Sequence, residues 1–285
     1  MSICHLDGRY LPLREARVSP MDRGFLFGDG AYEVIPVYSR RPFRLEEHLA
    51  RLARTLAALR LPDPHGAAGW AEIVREIVAR NAWEDQSVYL QVTRGADDKR
   101  SHAFPVPIRP TVFLMSEELV TPPAAQLETG VAAVGAADFR WLRCDLKTVA
   151  LLANCLLRQQ AVDHGCAETV LFRDGFLTEG SASNIFIVRD GVVLAPPKSH
   201  LMLPGITYDV VLELAERHGQ PHQVREILED EVRSADEIWM TSSTKEVLAI
   251  TTLDGRPVGS GRPGPVGRQM YAWYQDFKNT VMRSG

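Results

Sequence analysis

Two kinds of apolar patterning alternate along the chain. Leucines at 45, 49, 52, 56 and 59 recur at spacings of 4, 3, 4 and 3, which places them on one stripe and predicts a helix over 45–60. Trp70, Ile73, Val74, Ile77 and Val78 share a face in the same way and predict a helix over 70–83. Further helices are expected over 148–164, stopped by Gly165, over 207–218, ending at Gly219, and over 267–282. The second signal is short runs rich in Val, Ile, Thr and aromatic residues, bounded by turn formers. These predict strands over 2–6, 9–13, 30–38, 87–93 and 111–115, then over 130–135, 168–173, 184–190 and 237–241. Asp174-Gly175 and Asp190-Gly191 read as hairpin turns. The expected class is α/β, with strands and helices in packed α+β layers.

The pattern breaks over 119–128, where Thr121-Pro122-Pro123-Ala124 favours an extended linker. Two domains are therefore expected, a smaller one over 1–120 and a larger one over 121–285. Composition adds exclusions. With 45% hydrophobic and 24% charged residues, the chain is neither disordered nor fibrous. A net charge of −4 leaves no basic field for nucleic acid or anionic lipid. No uncharged run exceeds ten residues, against the about 20 that a membrane span needs. The opening Met-Ser-Ile-Cys-His-Leu-Asp lacks the basic segment and apolar core of a secretory signal. Cys4, Cys144, Cys155 and Cys166 form no C-x-x-C pair and read as free thiols of a cytoplasmic protein.

Candidate chemistry starts from lysine, which supplies only five of the 32 basic residues. Lys147 alone runs directly into an apolar helical pattern, Val149-Ala150-Leu151-Leu152-Ala153. Burial penalises an ammonium, and a neutral amine is what covalent catalysis by lysine requires. Position alone is equally met by a lysine snorkelling at a helix start. Gly205-Ile206-Thr207 opens a helix, so unpaired N–H groups and the helix dipole converge on a spot suited to phosphate. Ser242-Ser243-Thr244, behind a strand, offers hydroxyl donors. Arg51 adjoins Leu52 of the buried stripe, from where it can turn inward and grip a phosphate with its fork. Glu179 stands among small residues at a strand entrance, where a carboxylate can approach a flat ligand. Taken singly, these are also met by a capped helix, a solvated arginine and a turn glutamate. The glycine-rich stretch 24–30 completes neither nucleotide-binding motif and reads as a chain reversal. Arg100-Ser101-His102 lies in a loop and offers two donors to a carboxylate. Zinc and serine-hydrolase motifs are absent, and no metal is expected.

Seven segments carry a family likeness. They are Asp22-Arg23-Gly24-Phe25-Leu26-Phe27-Gly28-Asp29-Gly30-Ala31-Tyr32-Glu33-Val34, Glu47-His48-Leu49-Ala50-Arg51-Leu52, and Gln91-Val92-Thr93-Arg94-Gly95 with Arg100-Ser101-His102. There follow Arg140-Trp141-Leu142-Arg143-Cys144-Asp145-Leu146-Lys147, Thr178-Glu179-Gly180-Ser181-Ala182-Ser183-Asn184, Leu203-Pro204-Gly205-Ile206-Thr207 and Thr241-Ser242-Ser243. In this order they resemble the fold-type IV pyridoxal-phosphate aminotransferases (class IV, branched-chain-like), and within them the branch that acts on D-amino acids. The resemblance implies a two-domain fold with a pseudo-barrel-like C-terminal domain. It implies pyridoxal 5'-phosphate held covalently by Lys147, with Glu179 at its pyridine nitrogen and Leu203 on its ring face. Arg51, the amides of Ile206 and Thr207, and Ser242 and Ser243 match the phosphate ligands. Tyr32, Arg100 and His102 match the binders of the substrate carboxylate. In the family the arginine and histidine come from a neighbouring subunit, which implies a homodimer.

The implied reaction is a ping-pong transfer of the amino group of a D-amino acid such as D-alanine to a 2-oxo acid such as 2-oxoglutarate. Branched-chain L-amino acid transaminase, (R)-amine transaminase and aminodeoxychorismate lyase are alternatives on the same fold. A non-catalytic phosphate-binding module would need neither Lys147 nor Glu179.

Overall fold

The computed structural model describes residues 2–284. They divide into two units. The first holds the chain up to Leu119, the segment Leu146–Leu151 and the residues from Met282 on; the second holds Val120–Asp145 and Leu152–Val281. The segment around Lys147, expected in the C-terminal domain, thus groups with the first unit.

In the first unit, β1 (Ile3–Leu6) and β2 (Arg9–Pro12) form a hairpin through Asp7-Gly8. A short helix α1 (Arg23–Phe27) precedes β3 (Gly30–Tyr38) and β4 (Arg41–Pro42). Helices α2 (Leu45–Ala58) and α3 (Gly66–Arg80) follow, then β5 (Gln86–Thr93) and β6 (Thr111–Glu118). The six strands form one sheet in the order β2-β1-β6-β5-β3-β4. Along β3 the side chains of Ala31, Ile35 and Val37 enter one core with Leu49, Leu52 and Leu56 of α2 and Trp70, Val74, Ile77 and Val78 of α3. The leucine stripe is therefore the face that α2 lays on the sheet. Each such leucine stabilises the layer pair by roughly 1.5–3 kcal/mol relative to exposure. Glu33 lies in the same row of β3 as Ala31 and Ile35, so a carboxylate is carried into an apolar layer.

The stretch 24–30 is not a simple reversal. Asp22 caps α1 by accepting a hydrogen bond from Gly24 N, and Gly28 closes the helix in the left-handed conformation at φ 66°. The helix expected over 148–164 begins only at Leu152. Residues Lys147–Val149 instead pair with the free edge of β3: Tyr32 N donates to Lys147 O at 3.0 Å, and Val149 N donates to Gly30 O at 3.0 Å. An unpaired strand edge satisfies this backbone better than an extra helical turn would.

The second unit comprises α4 (Ala124–Thr129), β7 (Val131–Ala137), α5 (Leu152–Asp163), β8 (Glu168–Arg173), β9 (Phe176–Gly180), β10 (Asn184–Arg189) and β11 (Val192–Ala195). It continues with α6 (Ile206–Arg217), β12 (His222–Val224), α7 (Glu229–Arg233), β13 (Glu237–Ser242), β14 (Glu246–Leu253), β15 (Arg256–Pro257) and α8 (Pro265–Phe277). Its sheet runs β12-β11-β10-β13-β14-β7-β8-β9, with β15 on β14. β9, at one end, also lies against β10, so the sheet curls toward itself. Ile185, Ile187, Ile238 and Met240 face one core, while Phe186 and Trp239 face the other side with Tyr208 of α6. Coverage of both faces explains why these strands read as continuous apolar runs. Both Asp-Gly hairpins have two left-handed central residues, Asp174 at φ 52° with Gly175 at 80°, and Asp190 at 49° with Gly191 at 74°.

The last helix ends at Phe277, and Lys278–Met282 continue as a π-helical turn. Among the described residues no helix is long and apolar enough to cross a membrane.

Candidate active site

Each unit builds its own cluster of the residues singled out above. In the second unit the centre is Glu179. It lies within β9, not in a turn, and is 5% exposed. Its Oε1 accepts from Arg140 Nη1 at 2.5 Å, and Leu203 N donates to both carboxylate oxygens at 3.2 Å. Asn184 Nδ2 lies 3.4 Å from Oε2 and donates to Leu203 O at 3.0 Å. Burial pushes the Glu179 carboxyl up to about 7, against the opposing pull of Arg140 and the Leu203 amide. An ion pair with arginine would ordinarily hold a carboxyl down. Here Asp138 accepts from Arg140 Nε at 2.9 Å and Nη2 at 2.8 Å, and so already balances that cation. Arg173 Nη2 and Thr178 Oγ1 also reach Asp138, each at 3.0 Å. Glu179 is thus a carboxyl of raised proton affinity held rigidly on three sides. Arg140 and Asp138 were not picked out as site residues, because their role appears only once β7, β8 and β9 are ordered in one sheet and Thr178 and Glu179 come back to the residues that follow β7.

The same Asn184 marks the second feature. A Cβ at Gly205 would collide with Asn184 Oδ1, so only glycine lets the start of α6 pack there. Gly205 is the residue at the N-cap, so the helix starts one residue before the expected 207, and no side chain caps it. Ile206 and Thr207 occupy its first two positions, where backbone N–H groups have no intrahelical acceptor. Asn184 pairs in register with Thr241 on β13, whose buried Oγ1 has no hydrogen-bond partner among the described residues. Ser242 ends that strand, with its Oγ accepting from Lys245 N at 3.1 Å, and Ser243 follows in the turn. A carboxyl and an uncapped helix start with adjacent hydroxyls therefore converge on one asparagine. This donor set fits a ligand with a basic ring nitrogen at one end and a phosphate at the other. Leu203, half-buried, lies between the two, with its backbone N on Glu179 and its place in the chain two positions before Gly205.

In the first unit, Lys147 is half-buried with its Nζ 4.2 Å from the centre of the Tyr32 ring. Its backbone N lies 3.4 Å from Thr55 Oγ1 of α2. Arg51 is buried as expected, but its fork faces Glu33: Nε donates to Oε1 and Nη2 to Oε2, both at 2.8 Å. His48, one turn earlier on α2, places Nδ1 2.9 Å from Glu33 Oε2, and its Nε2 is buried without a partner among the described residues. Burial would raise the Glu33 carboxyl, but Arg51 and then His48 hold it down at about 2. Burial lowers His48 against the opposing pull of Glu33, and Arg51 and Lys147 add to the lowering, which favours the neutral ring beside the Glu33–Arg51 pair. The i,i+3 spacing of His48 and Arg51, a signal that sequence reasoning missed, puts both on one face of α2 and could have pointed to this cluster. Arg100 and His102 lie in an exposed loop against Phe27, with Arg100 Cζ 5.1 Å and the His102 ring centre 5.3 Å from that ring.

Known proteins are similar to this chain over most of its length. Residues 30–253 match the family model for amino-transferase class IV. The D-alanine aminotransferase of Bacillus licheniformis is 37% identical over 270 residues, covering 95% of both chains. That of Staphylococcus aureus (strain MW2) is 36% identical over 273 residues, covering 95% of this chain and 96% of its own. Among solved structures, a branched-chain amino acid aminotransferase of T.th. with pyridoxamine 5'-phosphate superposes with a TM-score of 0.90 at 28% identity, covering 99% of this chain and 95% of its own. A fold IV-transaminase from Curtobacterium pusillum gives a TM-score of 0.82 at 26% identity, with 100% of each chain covered. Fold, segment order and full-length similarity agree: the chain belongs to the class IV aminotransferases.

Proposed function

We propose that the chain is a pyridoxal-phosphate-dependent aminotransferase that takes D-amino acids of the D-alanine type as amino donors and a 2-oxo acid such as 2-oxoglutarate as acceptor. The observation that carries the cofactor assignment is the convergence of the Glu179 carboxyl and the uncapped start of α6 on Asn184. The preference for D-substrates rests on similarity to D-alanine aminotransferases along 95% of the chain.

When bound, pyridoxal phosphate supplies a ring that takes up the electrons left when substrate Cα loses its proton. Lys147 Nζ would hold the cofactor covalently, and the same amine would accept the proton that leaves substrate Cα. Glu179 keeps a proton at the pyridine nitrogen, a role its raised affinity suits. Leu203 packs on the ring. The amides of Ile206 and Thr207, the Ser242 and Ser243 segment, and Arg51 anchor the phosphate, orienting the ring without taking part in bond changes. Tyr32, with Arg100 and His102 of a neighbouring copy in a cytoplasmic homodimer, receives the substrate α-carboxylate.

D-alanine should bleach the visible absorbance of the purified holoprotein, and added 2-oxoglutarate should restore it. Bleaching by L-leucine instead would transfer the assignment to the branched-chain L-amino acid enzymes.

Arg51→Ala should separate anchoring from folding. Glu33 would keep only His48 as a partner, and an uncompensated buried charge costs about 3–5 kcal/mol of stability. Cofactor should also leave on dialysis. Adding Glu33→Gln should recover much of the stability in urea unfolding without recovering cofactor. Full retention of cofactor in Arg51→Ala would remove Arg51 from the phosphate ligands.

A further inference from the structure

The segment Asp22–Gly30 does more than turn the chain. Arg23 is 3% exposed, and its guanidinium is directed at an exposed loop. Nη1 donates to Ser101 O at 2.5 Å and to Ala103 O at 3.2 Å, and Nη2 donates to His102 O at 3.3 Å. Three successive carbonyls thus converge on one buried cation. Its Nε donates to Asp29 Oδ2 at 2.8 Å. Asp29 is gripped in turn by Arg94, through Nε to Oδ2 at 2.8 Å and Nη2 to Oδ1 at 3.0 Å. Arg94 also donates to the carbonyls of Leu59 and Arg60, which ties the assembly to the end of α2.

Phe27 stands one helical turn after Arg23. Its ring centre is 4.8 Å from Arg23 Cζ, 5.1 Å from Arg100 Cζ and 5.3 Å from the His102 ring. Phe104, just past the loop, lies 3.6 Å from Arg94 Cζ. The loop is therefore clamped at its backbone by Arg23 and backed at its side chains by Phe27.

We infer that Arg23 and Phe27 are positioning residues that aim Arg100 and His102 at the substrate carboxylate. The inference rests on the reading of Arg100 and His102 as carboxylate ligands. Recognition of acceptors alone explains the choice of arginine: they are three carbonyl oxygens and a carboxylate, and a planar fork of five N–H groups meets them from one place. A lysine ammonium has three donors at one point and cannot span them. A loop ordered before substrate arrives loses less conformational freedom on binding, so the clamp acts on substrate affinity. Removing it should raise KM for donor and acceptor, which both carry an α-carboxylate, and leave kcat largely intact.

The experiment compares holoenzyme variants Arg23→Lys, Phe27→Leu, Arg100→Ala and the double variant Arg23→Lys/Arg100→Ala. KM, kcat and visible cofactor absorbance are measured for D-alanine and 2-oxoglutarate. The expected result is a rise in KM of about tenfold for Arg23→Lys and Phe27→Leu, near the loss of one charge-assisted hydrogen bond. Cofactor absorbance should be unchanged, and the double variant should be no worse than Arg100→Ala alone. Wild-type KM in Arg23→Lys and Phe27→Leu, with a raised KM in Arg100→Ala, would overturn the positioning role and leave the ligand reading standing. Multiplying effects in the double variant would overturn it as well. An unchanged KM in Arg100→Ala would remove the ligand reading and the positioning role together. If Arg23→Lys does not fold, Phe27→Leu, which leaves the buried ion pairs intact, decides the matter.

Discussion

Lys147→Ala is expected to abolish transamination, with a fall of about 10⁴-fold or more in turnover, since one amine serves as covalent partner and proton carrier. The visible absorbance of the bound cofactor should vanish from the purified variant. Borohydride reduction followed by peptide mapping should tag residue 147 in the wild type and nothing in the variant. The structure makes this a clean substitution. The main chain at 147 is held by its own bonds, with Lys147 O accepting from Tyr32 N and Val149 N donating to Gly30 O, both at 3.0 Å. Loss of the side chain breaks none of these. The amine itself lies over the Tyr32 ring, a contact worth roughly 0.5–2 kcal/mol. The variant should therefore unfold close to the wild-type midpoint in urea. Retained turnover, or a borohydride tag at another lysine, would refute the assignment.

Glu179→Gln is expected to keep the cofactor and to slow turnover by about 10²- to 10³-fold, within the range for loss of a positioned proton-holding group. The amide is nearly isosteric. Its remaining oxygen can still accept from Arg140 and Leu203, which contact Oε1 in the wild type. What it cannot do is share a proton with a ring nitrogen. An unchanged kcat would show that the carboxylate is not the ring's partner.

The same variant tests the carboxyl's proton affinity in the cofactor-free protein. Because burial raises Glu179 to about 7, above its ordinary 4.5, the native state binds the proton more tightly than the unfolded chain does. Its stabilising contribution is fully present below about 4.5 and is lost as pH rises through about 7. The stability of wild type relative to Glu179→Gln should therefore fall across that window, by an amount on the order of 1–3 kcal/mol. A difference that stays flat with pH would mean that Arg140 holds Glu179 ionised throughout.

The site was legible where chemistry and local geometry coincide. Gly205-Ile206-Thr207 signals an anion site because the first residues of any helix have N–H groups without acceptors, and the structure leaves that helix start uncapped. Lys147 stood out for a reason the fold does not bear out. It does not run into a helix; four residues, 148–151, separate it from α5, and its backbone completes the edge of β3. The residues that hold the chemistry in place were not legible. Arg140 and Asp138 reach Glu179 and its neighbour Thr178 across about 40 residues of sequence, and Glu33 reaches Arg51 across 18. Strand periodicity puts Glu33 in the core-facing row of Ala31 and Ile35, but the buried arginine that pairs with it there is supplied by another element.

The family was legible only as a resemblance of the motif segments, while apolar periodicity and turn chemistry, both short-range, were enough to determine the layer class, the faces of α2 and α3 and the Asp-Gly hairpins. They are set by steric preferences of neighbouring residues and by which face must leave water, so they are written within a few positions of one another. Tertiary structure alone decided which strand edge takes up residues 147–149, and that β9 curls against β10 so that Glu179 meets Asn184. It also decided that a buried arginine holds the loop of Arg100 and His102. These are pairings between groups far apart in the chain. Each is settled by the cost of leaving a buried charge or backbone group without a partner, a cost that exists only once the layers have closed.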